Sequence, residues 1–128
     1  MPANTWQITN RASAGAAATA SQAAPGAALN GGAVVRLRSL QAAISGTGAG
    51  TDLLVVRDGA SGAGAIIWSL DMAMPANDTQ IVQVTGLDLR ASVGNALTVE
   101  FVSGVSSDRE NVNAQGDFIP QGWPFGQS

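Results

Sequence analysis

Histidine, cysteine and tyrosine are missing from this 128-residue chain, and so is lysine, because all six basic residues are arginines. With them go the commonest general base, the thiol nucleophile and the Schiff-base amine, as well as any disulfide or thiolate metal site. Charge is sparse: 12% of residues carry it, with a formal net charge of −3. The arginines spread from Arg11 to Arg109 without clustering, so no basic patch could displace counterions from phosphates, and nucleic acid is not expected as a partner. The start, Met1-Pro2-Ala3-Asn4-Thr5-Trp6, has neither the basic residues nor the apolar run of a signal peptide or membrane span, so the expectation is a soluble protein made in a cytoplasm.

What is present points to strands. Valine outnumbers leucine, isoleucine and phenylalanine, and β-branched side chains suit a pleated, half-buried surface better than a helix. Ala33–Ser45 alternates apolar and polar with a change of phase near Ser39. Val35 and Leu37 share one face, then Leu40, Ala42 and Ile44 share the other, a slip of one residue that a β-bulge or bend produces. Leu53-Leu54-Val55-Val56 is apolar on both faces and suits a central strand. Ala65–Asp71 returns after a glycine-rich turn, so the two read as a hairpin. Thr79–Thr85 and Gly86–Arg90 are shorter strand candidates. In Ala96–Val102, Leu97, Val99 and Phe101 face in while Thr98 and Glu100 face out. The Ala-rich run over 12–24 leaves strand and helix both open; residues 17 to 23 are read as a small-residue strand. The class expected is all-β, a single β-sandwich or jelly-roll-like domain. It is divided into an N-terminal segment over 1–16, the sandwich over 17–115 and a tail over 116–128.

Residues able to do chemistry do not converge. Asp52 with Asp58, or Asp71 with Asp78, could in principle form a glycosidase pair, but each is read as a turn former at the end of a strand. Gly46–Gly50 and Gly59–Gly64 lack the lysine of a phosphate loop and lead into strands, so both are read as hairpin loops. No calcium-loop spacing occurs. The expectation is no catalytic residue, no cofactor-binding residue and no metal ligand.

The tail differs in kind. Phe118, Trp123 and Phe125 are half of the chain's aromatic residues, and Pro120 and Pro124 forbid a regular ladder around them. Either the tail folds back over its own sandwich, or it docks on another surface, since aromatic anchors dominate interface energetics. Trp6, Phe118, Trp123 and Phe125 are the candidate partner-contact residues, and Trp68, inside a strand, is assigned to the core.

Leu54–Gly62, Ile66-Ile67-Trp68, Gly86–Leu89 and Val93–Phe101 resemble head decoration (cement) proteins of tailed bacteriophages, of the β-sandwich type. The likeness covers roughly residues 17 to 103 and transfers no site residue. It implies a homotrimer that binds the major capsid protein on the outside of the head and stabilises the shell. The alternative is a sugar- or receptor-binding sandwich of a virion appendage, with Trp6 or Trp123 stacking on a sugar ring.

Overall fold

The computed structural model describes residues 5–25 and 33–120. Among them are nine strands in two antiparallel sheets. The first sheet takes β1 (Thr5–Arg11), β9 (Asp108–Pro120), β3 (Ala33–Gly46) and β6 (Asp78–Val84) in that order, and the short β7 (Leu89–Arg90) also pairs with β3. The second runs β2 (Thr19–Gln22), β8 (Leu97–Phe101), β4 (Gly50–Asp58) and β5 (Ala65–Met74). The chain is an all-β sandwich, as its patterning indicates.

The core lies between the sheets and follows from the alternation. Val35, Leu37, Leu40, Ala42 and Ile44 of β3 are all buried in it, and the pairing of β3 with β9 shifts register between Leu37 and Ser39. The extra residue there returns the apolar set to the inner face after the phase change. Facing them are Leu54 and Val56 of β4, Leu97, Val99 and Phe101 of β8, and Met72 and Met74 of β5. Trp68 packs half-buried against the same cluster.

Several readings need correction, though not the small-residue strand read over 17 to 23: the Ala-rich run crosses from β1 through a turn at Gly15 (φ +82°) to β2, with Ala18 and Ala20 in the core. Its smallness is used, because a Cβ on Gly104 would meet the Gly15 carbonyl oxygen at 1.9 Å. Gly46–Gly50 is not a hairpin loop, since it carries the chain from β3 in one sheet to β4 in the other. Here it passes the 105–108 turn so closely that a Cβ on Gly48 would meet the Ser106 oxygen at 2.1 Å. Asp52 is no turn former: it sits inside β4, buried and facing the core. Described residues on either side of the 17–115 bounds belong to the first sheet. β1 supplies an edge strand, and the ladder of β9 continues past Gly116 to Pro120, which pairs with Ala33.

Candidate functional site

The first sheet turns one face to the core and leaves the other open, and the middle of that open face is rich in neutral hydrogen-bonding side chains, with the exposed Arg11 and Arg109 at one end of it. Period-two alternation puts the residues between the core positions on the outside. Register then lines them up across strands. Gln7 of β1 lies opposite Gln115 of β9, which lies opposite Ser39 of β3. In the next row Thr9, Asn113, Gln41 and Gln83 span β1, β9, β3 and β6. Beyond it come Asn111, Ala43 and the exposed Ile81. Gln7 Nε2 donates to Asn113 Oδ1 at 3.4 Å, and Ser45 and Thr79 share a hydroxyl bond at 3.0 Å.

Two depressions lie on this face and meet at Gln7 and Gln115. One, of about 100 Å³, is bordered by Ser39, Gln41, Gln83 and Asn113. The larger, of about 550 Å³, reaches Trp6, Arg38, Gly116 and Asp117. At that end the face becomes charged. Arg36 donates two bonds to Asp117, at 2.7 and 2.8 Å, and Asp88 pairs with Arg90. The bidentate bond to Arg36 holds the Asp117 carboxyl below its ordinary range and raises the guanidinium. The carboxyl of Asp88 is lowered by its bond to Arg90. These acids are engaged as anions, and the middle of the face offers mainly carboxamides and hydroxyls, with the exposed Ile81 beside them. Each carboxamide both donates and accepts, so the surface can bind by hydrogen bonds.

Of the four aromatic candidates, Trp123 and Phe125 lie outside the described residues. Trp6 is 7% exposed and belongs to the core cluster. Its indole Nε1 donates to the Asp117 carbonyl at 3.0 Å, and its ring lies over Gly116, where a Cβ would meet Trp6 Cζ2 at 2.7 Å and the Arg36 oxygen at 1.8 Å. Phe118 is half-buried against the same cluster, opposite Val35. Both rings serve the sandwich because the ladder that carries them continues where the prolines had suggested it would stop.

The carboxylate pairs come apart. Asp58 accepts bonds from Ser92 N, Ser92 Oγ and Asn95 Nδ2. These donors hold its carboxyl low against the opposing effect of burial, which is the work of a loop former. Asp52 faces the core six residues back along β4. Asp71 is exposed on β5, and Asp78 caps the start of β6 through Thr79 N. Among the described residues no group of three acids is arranged to hold a metal ion, and no helix is long and apolar enough to cross a membrane.

The carboxamide rows are absent from the candidates drawn from sequence, although alternation carried their signal. Gln41 falls between the inward Leu40 and Ala42. Asn111, Asn113 and Gln115 alternate with positions that turn inward, but those inward positions include Glu110 and Gly116, which hid the strand.

No family model matches the chain, and no curated protein does. Among solved structures, a coat protein of Tobacco streak virus is similar at 13% identity over 97% of this chain and 92% of that one, with a TM-score of 0.36. An arabinose-bound α-L-arabinofuranosidase aligns at 10% identity over 100% of this chain and 22% of its own length, with a TM-score of 0.38. The enzymatically active domain of tailspike protein 4 of bacteriophage CBA120 aligns at 11% identity, over 90% and 19%, with a TM-score of 0.35. At these scores the likenesses carry no argument about what this chain does.

Proposed function

We propose that this protein is a non-enzymatic structural protein of a virion, a decoration or cement protein that docks on the outer surface of a phage head and stabilises it. Its partners in this reading are the major capsid protein and its own copies in a homotrimer, and its place is the capsid surface. The observation that carries the reading is the pair of uncharged carboxamide and hydroxyl rows in the middle of the face that β1, β9, β3 and β6 form. Protein interfaces are about as polar as the remaining surface but are depleted of charge at their centre. A face that is neutral in the middle and charged at both ends, by Arg36 and Asp117 at one and by Arg11 and Arg109 at the other, fits that anatomy, and neutral amides cost less to desolvate than ions. The resemblance of residues 17 to 103 to decoration proteins points the same way. Trp123 and Phe125 are proposed as additional anchors on the shell, since Trp6 and Phe118 are committed to the sandwich.

The test is to add the protein to undecorated phage capsids and follow their disruption temperature together with the mass of the free protein. A trimer that binds saturably and raises that temperature supports the reading. An isolated protein that binds glycans and leaves capsids unchanged refutes it in favour of sugar recognition.

A further inference from the structure

Three acids face into one end of the core. Asp108 and Glu110 project inward from β9, and Asp52 projects inward from β4 in the opposite sheet; none is more than 3% exposed. On Asp52, Oδ1 accepts bonds from Leu53 N, Ser103 N and Ser103 Oγ. On Glu110, Oε1 accepts one from Ala18 N at 3.3 Å, and on Asp108, Oδ1 accepts one from Gly48 N at 2.8 Å. The second oxygen of each carboxyl, Asp52 Oδ2, Glu110 Oε2 and Asp108 Oδ2, is buried without an N–H or O–H donor. The elements around Glu110 bring no compensating cation. β4 contributes Asp52, β9 contributes Asp108, and β3 contributes Ile44 as the direct neighbour. The segment before β2 offers a backbone N–H, that of Ala18. Arg11 and Arg109 are exposed on the opposite face.

Two buried carboxylates cannot hydrogen-bond as anions, whereas an acid and a carboxylate can. We propose that Glu110 and Asp52 share one proton across the two sheets, Glu110 Oε2 donating to Asp52 Oδ2, and that this bond is a pH-dependent latch on one end of the sandwich. The chemistry is a reversible protonation, with the proton taken from and returned to water. Burial and the bond to Asp52 push the Glu110 carboxyl up to about 9. Its ordinary value is 4.5, so between the two values the folded chain keeps a proton that the unfolded chain has released. Stability is therefore greatest below about 4.5 as far as this group is concerned, and falls as pH rises to about 9. The composition leaves that window quiet. Without histidine, cysteine, tyrosine or lysine, no other kind of side chain ordinarily changes charge between about pH 5 and 9.

The test is urea unfolding from about pH 5 to pH 10, on the wild type and on Glu110→Gln. The amide of that variant can donate to Asp52 while its oxygen still accepts from Ala18. In the wild type the unfolding constant should rise by up to about tenfold per pH unit and level off above about pH 9. In Glu110→Gln the profile should be flat. A wild-type profile already flat across the window overturns the proposal. So does a stabilisation of the wild type by millimolar calcium that chelator reverses and Glu110→Gln abolishes, because the acids would then hold a cation. If Glu110→Gln does not fold, an NMR titration of the wild-type Glu110 carboxyl decides: a midpoint near 9 supports the latch, and one near 4.5 overturns it.

Discussion

Glu100 and Glu110 are both buried, in opposite sheets, and their surroundings set them apart. Glu100 points away from the core onto the outer face of the second sheet, where the 59–64 hairpin folds over it. There it meets Arg57, Ser61 Oγ, Gly62 N and Thr19 Oγ1. Burial works to raise its carboxyl, but those donors prevail and hold it below the ordinary range. Glu110 points into the core, has one backbone donor on Oε1, and faces other acids. Its carboxyl is raised. Burial alone does not decide whether a carboxyl is charged; the supply of donors does.

The comparison breaks most visibly if the donors lose their acid. Glu100→Ala leaves the guanidinium of Arg57, whose side chain is 12% exposed, with the Gly64 carbonyl as its remaining partner among the described residues, through Nη1. Breaking a buried pair in this way costs roughly 3 kcal/mol or somewhat more, to be read as a lower urea midpoint at neutral pH. Glu110→Gln should move stability the other way at pH 8, by at most about 5 kcal/mol, because about 3.5 pH units separate that pH from the carboxyl's ordinary value of 4.5, each worth about 1.4 kcal/mol, and the amide needs no proton. The two glutamates should also respond oppositely to pH. Glu100 has a lowered carboxyl, so its stabilisation is present above about 4.5 and is lost as pH falls through its folded value. Glu100→Gln should therefore shrink the loss of stability on acidification below about pH 4, while Glu110→Gln flattens only the alkaline side. The smallest effect on stability belongs to the open face: Gln41→Ala should change unfolding by no more than about 0.5 kcal/mol, yet weaken capsid binding measurably.

How much of this was legible follows from which faces are apolar. Leu97, Val99 and Phe101 announced β8, and the slip of phase near Ser39 announced the bulge in β3, because in both the inner face is hydrophobic. The same alternation placed Thr98 and Glu100 outside the core, but it carries no sign that a hairpin later covers them. Thr98 is fully buried and donates to the Gly59 carbonyl at 2.8 Å. β9 escaped notice for the converse reason. Its inward residues include Asp108, Glu110, Ala114 and Gly116, so a central strand reads as polar, and Pro120 suggests a break before the ladder has ended. The carboxamide face became visible only when register set β1, β9, β3 and β6 side by side.

The account rests on that face as a docking surface, and one co-sedimentation experiment addresses it most directly. Wild-type protein and a Gln41→Glu/Gln83→Glu double variant, whose fold is checked by its unfolding transition, would each be spun with undecorated phage capsids. The account predicts that the wild type sediments saturably with the capsids and that the charged variant, still folded, stays in the supernatant. Equal sedimentation of both, or of neither, would contradict it.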